Sequence, residues 1–369
     1  MIVEVGTAVT PRGVLEGLTL EFRGAGSFYA ETALIPGFSD AHAHPQVVDY
    51  GSGGKWSNAY EWLTHRRLKV DEAKLRADTE FSARLALLAM WRSLLEGCTM
   101  IAMVGSYYAN LRAVETAGVR PRAVVMPTLL EAAPGWWSLR DLLGSYDTLA
   151  RLDGYVRPGV FVHSVRLVRT ETLKRAYALS RKAGLPFSLH LSEGVPELEE
   201  LARALGLKRG EDSRIVAVHC CENEDYAAYG VRVVHCPSSN LLLYGKTLSR
   251  VELVSALGSD WPLLLGGVYS AYKEAVKYHG RQHAWRLIRA ATIGGYEIYG
   301  LPWKGDAVFF DDSLEKVIEG LASPPKYVAV GGEFVVTEGE LAEVGLSLSD
   351  VERLSQRAVK EALEKYGVG

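Results

Sequence analysis

Between residues 33 and 260 the chain repeats one pattern: a short apolar run that ends in a polar residue, then a longer segment with helical periodicity. The runs end near His44, Val104, Thr128, His163, His190, His219, His235 and Asp260. Between them, segments such as "DTEFSARLALLAMWRSLLEG", "NLRAVETAG", "TLKRAYALSRKAG", "ELEELARALG" and "VELVSALG" read as helices, several of them closing on glycine. Eight strand–helix units in succession predict an α/β fold of the (β/α)8 type, the TIM barrel. The rival is an open doubly wound sheet. It is disfavoured because no G-x-G-x-x-G follows a first strand, and because the polar residues are spread over most strand ends.

The flanks follow another rule. The opening 26 residues and the stretch "GDAVFFDDSLEKVIEGLASPPKYVAVGGEFVVTEGE" read as short strands with turn signals. "YVAVGGEFVV" is a hairpin signal, two β-rich runs around Gly331 and Gly332. The two flanks, residues 1–36 and 305–345, are expected to join into one small β-sandwich beside a barrel at residues 37–304. Residues 346–369 are expected to form a terminal helix opened by a capping box, Ser349 with Glu352.

Composition removes several functional classes. The chain has 369 residues and a formal net charge of −3, and it shows no basic run, so a nucleic-acid partner is not expected. No segment of about 18 apolar residues is present, and no membrane span is expected. The N-terminus lacks a basic segment leading into an apolar one, and the four cysteines (Cys98, Cys220, Cys221, Cys236) lack the spacing of a disulfide framework. Both features fit a cytoplasmic protein with reduced thiols. The sequence has only four asparagines and three glutamines, a depletion that fits a thermophilic source.

Six of the nine histidines stand at or near the ends of the apolar runs. In a strand alternate side chains share a face, so His42 and His44 point the same way with Cα atoms about 6–7 Å apart. Two such imidazoles serve a hydrogen-bonded pair or a metal ion equally well. The other runs decide between these: "VFVHS", "FSLHLSE", "VAVHCC" and "VVHCPSSN" add histidines, and "LGSDWP" adds an acid. In a TIM barrel all those ends open on one face, where active sites lie. A metal-dependent site is therefore expected.

These segments carry a specific resemblance. "PGFSDAHAHP", "HLSE", "VHCC", "HCPSSN" and "GSDWP" occur in the order found in the amidohydrolase superfamily. The set is most similar to the deaminase and chlorohydrolase branch, which includes S-adenosylhomocysteine, adenosine, guanine and cytosine deaminases and triazine hydrolases. "AYEWLTHRRL" and the flanking β-domain resemble that branch too, and the likeness covers nearly the whole chain. It implies that His42, His44, His190 and Asp260 hold one divalent ion. Zinc is the first expectation, with ferrous iron as the alternative. Members with two metals often bridge them with a modified lysine on the fourth strand, and "GVFVHSVRL" has none. The resemblance further implies that Glu193 shuttles protons, that Asp260 takes the proton of the bound water, and that His219 hydrogen-bonds that water or the developing oxyanion.

The implied chemistry is hydrolytic: a metal acidifies its bound water, hydroxide attacks a ring carbon bearing an amino group, and ammonia leaves. The substrate expected is a small amino-substituted heterocycle, a purine, pyrimidine or relative. His163, Arg166, His235, Trp261 and Trp56 are the expected substrate contacts. Trp56, Tyr107, Tyr108, Trp136, Trp137 and Trp261 all fall just beyond strand ends, where aromatic rings stack flat ligands or pack loops. An amide, imide or chloride-releasing hydrolase on the same scaffold is the alternative. A TatD-type nuclease or a metal-free scaffold protein ranks lower. A homo-oligomer is expected from the branch.

Overall fold

The computed structural model describes residues 1–52, 54–131, 136–149 and 155–368. The barrel strands are β4 (Phe38–Ala43), β5 (Cys98–Met103), β6 (Arg122–Val125), β7 (Thr128–Leu129), β8 (Val156–Pro158), β9 (Val160–Ser164), β10 (Phe187–Leu191), β11 (Ile215–His219), β12 (Arg232–His235) and β13 (Val254–Leu257); they follow β1 (Ile2–Thr10), β2 (Gly13–Glu21) and β3 (Ser27–Leu34) of the flanking sheet. All barrel pairings are parallel, in the orders β4-β5-β6-β8 and β13-β12-β11-β10-β9-β7. β6 with β7, and β8 with β9, are two pieces of one barrel strand each, so the circuit has the eight expected staves. It closes between β4 and the residues after β13. There Asp260 N donates to His42 O at 2.9 Å and His44 N donates to Asp260 O at 2.6 Å.

Helices cover the outside and leave little strand surface for water, hence the near-continuous apolar runs. Inside, Ala41, Met100, Val124, Phe161, Val218 and Val234 interlock into a packed plug, so the barrel is a core and not a channel. Phe161 tops that plug and presents its ring to His42 and His190, with centroids 5.4 and 4.9 Å apart.

The flanks join in one seven-stranded mixed sheet, completed by β14 (Ala307–Phe310), β15 (Tyr327–Val330), β16 (Glu333–Thr337) and β17 (Glu340–Leu341), in the order β17-β16-β15-β14-β3-β1-β2. The sheet curls on itself: Phe22, just past β2 at one edge, meets Phe334 of β16 at 5.2 Å. The hairpin between β15 and β16 turns on Gly331 and Gly332, both at positive φ, as a two-residue turn of matching twist requires. Sheet and barrel are tied by a buried ion pair. Arg122 Nε donates to Asp306 Oδ2 at 2.7 Å, and the Tyr296 hydroxyl donates to the same oxygen at 2.8 Å.

Two local expectations are corrected. Residues 251–258, "VELVSALG", carry no α-helix: a short 3-10 turn (Val251–Leu253) leads into β13. A brief apolar run satisfies either period, and here the open edge beside β12 claims it. The terminal helix, Leu348–Lys365, is capped two residues earlier than expected. Ser347 and Asp350 form the capping box, because Ser347 has the extended backbone that lets its side chain reach the Asp350 N–H, while Ser349 is already inside the helix.

Candidate active site

Three of the strand ends that carry functional side chains, those after β10, β11 and β13, also carry unusual backbone. Ser192, His219, Cys220 and Asp260 have φ between 50° and 74°. Such left-handed conformations cost non-glycine residues free energy and gather where side chains must be re-aimed. Asp260 is the clearest case: its φ of 62° turns the carboxylate toward the histidines of β4 while its backbone completes the barrel.

The alternation of β4 brings His42 and His44 to one side, as the spacing predicts, and β10 adds His190. His190 Nε2 lies 3.3 Å from His42 Nε2 and 3.2 Å from His44 Nε2. Asp260 Oδ1 lies 3.5 Å from His42 Nε2 and 3.8 Å from His44 Nε2. His42, His44 and Asp260 form one group able to hold a metal ion, and His42, His190 and His219 form another, with ligand atoms inside each group within 4.8 Å of one another.

The protonation states suit a cation. Burial holds the imidazoles of His42, His44 and His190 below their ordinary range, so they stay neutral. Burial alone would push Asp260 up, but the hydrogen bond from His42 and the electrostatic influence of the surrounding imidazoles outweigh it and hold its pKa below the usual carboxylate range. Nitrogens only 3.2–3.3 Å apart, uncharged and converging on one carboxylate, are what a divalent ion requires. The donor set therefore fits a metal.

Glu193 and His219 adjoin this cluster. Glu193 follows the left-handed Ser192, and its side chain is buried. Tyr244 donates a hydrogen bond to Glu193 Oε1 at 2.6 Å, and His219 Nε2 lies 3.8 Å from the same oxygen. Burial raises the Glu193 pKa above the usual carboxylate range. On its far side His219 Nδ1 donates to Asn240 Oδ1 at 2.8 Å, which directs Nε2 to the cluster. Asn240 Nδ2 in turn donates to Thr247 Oγ1 at 2.9 Å, and Thr247 Oγ1 lies 3.4 Å from His235 Nδ1. His235 thus stands behind His219, buried and outside the cavity.

A cavity open to solvent lies above the cluster. His44, His163, His190, Glu193, His219, Asp260 and Trp261 all line it. His163 is a buried imidazole pushed down to about 4, chiefly by desolvation and then by the charge of Arg66. Arg166 lies elsewhere: its Nε donates to Glu200 at 2.9 Å on the outer surface. Trp56 packs behind Trp261 in an apolar cluster with Tyr244 and Leu243. Cys220, Cys221 and Cys236 are free and buried, and burial pushes their thiols well above the ordinary range, so they remain uncharged fillers.

Several lining residues were not singled out from the sequence, although Trp62 and Arg66 lie in the "AYEWLTHRRL" segment that resembles the deaminase branch. Trp62 and Arg66 come from the end of helix α1 (Ala59–His65), and Glu72, Leu75 and Arg76 from helix α2 (Glu72–Ala77), both within the long connection after β4. Their spacing is that of any amphipathic surface segment. Only the path of the connection over the barrel mouth makes them a wall of the cavity. Trp136, one of the aromatic residues noted beyond a strand end, also lines it. Among the described residues no helix is long and apolar enough to cross a membrane.

Comparison with known proteins places this geometry. Residues 33–335 match the model of the amidohydrolase family. The 5-methylthioadenosine/S-adenosylhomocysteine deaminase 1 of Archaeoglobus fulgidus is 24% identical over 420 aligned positions covering 96% of both chains. The 5'-deoxyadenosine deaminase of Methanothermobacter thermautotrophicus is 28% identical across 57% of this chain, a match that spans only 52% of that protein. Among solved structures, an adenosine deaminase from Xanthomonas campestris with bound zinc superposes with a TM-score of 0.78 over 99% of this chain and 98% of the other, at 19% identity.

Proposed function

The chain belongs to the amidohydrolase family, and from that premise we propose that it is a metal-dependent deaminase of 5'-modified adenine nucleosides. The observation that carries the reading is the meeting, in one cavity, of a neutral three-histidine and one-aspartate donor set with Glu193 and His219. The substrate class is supported by the names of the two curated relatives reported above, both deaminases of modified adenosines. Overall the reaction adds water to the adenine ring carbon bearing the amino group and releases ammonia, leaving the corresponding inosine.

His42, His44, His190 and Asp260 hold the metal, proposed to be a single zinc ion as in the bacterial adenosine deaminase structure. When bound, the metal supplies Lewis acidity that makes water a competent nucleophile near neutral pH. Asp260, kept ionised, accepts a proton from the nucleophile. Glu193 passes one of the water's two protons to the ring nitrogen next to the reacting carbon, and the other, accepted by Asp260, goes to the departing amine. Burial raises its pKa, which favours the proton-carrying form, and Tyr244 fixes its rotamer by holding Oε1. His219, its Nδ1–H donated to Asn240, leaves Nε2 to accept a hydrogen bond from the attacking water. Trp261 narrows the space beside the ring.

The test is ammonia release from 5'-methylthioadenosine, S-adenosylhomocysteine, 5'-deoxyadenosine and adenosine by zinc-loaded protein, with Glu193→Gln as the control. Release from at least one nucleoside is expected, with kcat about 10²- to 10⁴-fold lower in the variant and zinc content unchanged. Turnover within a few-fold of wild type in Glu193→Gln would overturn the proton shuttle. Silence across the panel would overturn the substrate class.

A further inference from the structure

Glu193 stands on a turn that is held from both sides by groups the deamination chemistry does not use. Ser192, the residue before it, has a left-handed backbone with φ of 54°. Its N–H donates to Glu197 Oε2 at 2.9 Å, and its hydroxyl donates to Glu224 Oε2. On the other side the Glu193 carbonyl accepts the Ala59 N–H of α1 at 3.0 Å. Gly194, at φ 89°, has the start of α1 directly against it: a Cβ there would lie 2.6 Å from Asn58 Cα and closer still to the Ser57 carbonyl oxygen. Only a glycine admits that approach.

Glu197 joins the two sides. It sits just before the helix Leu198–Leu205, where an acceptor side chain ordinarily caps the first N–H groups. Here that duty falls to Glu224, which accepts from Glu197 N at 3.1 Å and from Leu198 N at 3.2 Å. The Glu197 side chain turns back instead. Its Oε2 takes the Ser192 N–H, and its Oε1 takes the hydroxyl of Tyr60, the second residue of α1. Arg166 Nε lies 3.7 Å from Oε1 and bonds Glu200. Glu197 is only 3% exposed, and burial pushes its pKa above the usual carboxylate range. A carboxylate so deeply buried costs free energy unless its oxygens are used. Both are used, one on the turn of Glu193 and one on α1. Neither Tyr60 nor Glu197 lines the cavity, whereas α1 does so through Trp62 and Leu63.

We propose that Tyr60 and Glu197 are positioning residues for Glu193. Through them the docking of α1 over the barrel mouth sets the backbone from Ser192 to Gly194, and that backbone aims the Glu193 side chain into the cavity. Ligand contacts that steady Trp62 and Leu63 then also steady the proton carrier. The consequence for turnover rests on the deaminase reading; the tie between α1 and the turn does not.

The experiment has a kinetic arm and an arm without turnover, both on zinc-loaded protein. In the first, ammonia release from the best nucleoside of the panel is compared across Tyr60→Phe, Glu197→Gln and Glu197→Ala. kcat is expected to fall about 3- to 10-fold in Tyr60→Phe and about 10- to 100-fold in Glu197→Ala. Glu197→Gln should fall less than Glu197→Ala, because an amide still offers Ser192 an acceptor. KM and zinc content should stay within about 2-fold, since neither residue touches substrate or metal. Added to Glu193→Gln, Tyr60→Phe should lower kcat by less than about 2-fold, because the side chain it steadies no longer carries a proton. A drop as large as in the wild-type background, or a loss carried by KM or by zinc, would overturn the positioning role. In the second arm amide hydrogen exchange is followed by mass spectrometry. Tyr60→Phe should speed exchange at residues 192–198 about 5-fold or more, and Glu197→Ala should do the same at residues 59–65. Unchanged exchange on the far side of the tie would overturn it whether or not the protein deaminates. Faster exchange there, with no ammonia released by the wild type from any nucleoside, would leave the tie standing and sink the deaminase reading.

Discussion

The cavity has two walls of different origin. One is made of strand ends, with His42 buried behind it: His44 just after β4, His190 on β10, His219 on β11, and Asp260 where the barrel closes. The other is made of the connection after β4, with Trp62, Arg66, Glu72 and Arg76, joined by Trp136. On the first wall the backbone dictates where each side chain points, since strand pairing fixes every Cα and left-handed residues fix the final aim. On the second wall the side chains hold one another, through an arginine–glutamate–arginine cluster and two cation–π stacks. Chemistry that needs sub-ångström placement sits on the rigid wall. Recognition, which a family of related enzymes must vary, sits on the wall that a loop can rebuild.

The largest effect should come from breaking the strand-end wall. His190→Ala removes the histidine that lies within 3.3 Å of both other imidazoles. The variant should lose zinc, seen by metal analysis, and more than about 10³-fold in kcat. Full activity in a metal-free variant would refute the ligand set. A smaller effect is expected one layer behind. Asn240→Ala leaves His219 Nδ1 without its acceptor, and kcat should fall about 10-fold while KM and zinc content stay within about 2-fold. A change confined to KM would show that His219 does not depend on that partner for catalysis. The smallest effect belongs to the loop wall. Trp136→Leu removes the indole under Arg76 and should raise KM about 3- to 10-fold with kcat within about 2-fold. If kcat fell as far as in Asn240→Ala, the division of labour between the walls would be wrong.

The same division explains what could be read in advance. Histidine or acid at the end of an apolar run is visible in one dimension, because a parallel barrel delivers all such ends to one face. His42 and His44 needed only the two-residue period of a strand. Glu193 needed only its place after His190, although the Tyr244 hydroxyl that holds it lies 51 positions away and has no local signal. Arg166 looked like a substrate contact because it follows β9, yet its side chain turns outward to Glu200. His235 ends its strand like the other histidines, but Thr247 and His279 hold it behind His219. The "VELVSALG" segment was misread because four or five apolar residues satisfy a helix and a strand alike, and the partner strand decides.

From sequence alone followed the barrel, the flanking sheet and the metal-binding character of the strand ends, which depend on local periodicity or on residue types at fixed offsets, while the branch of hydrolytic chemistry rested on the family resemblance of the motifs. Only the tertiary structure decided which oxygen faces which imidazole, and that Arg66 and Arg76 meet one glutamate on the wall of the cavity. Those outcomes depend on burial and on distances between residues far apart in the chain. Burial sets the electrostatics, and a linear sequence does not contain it.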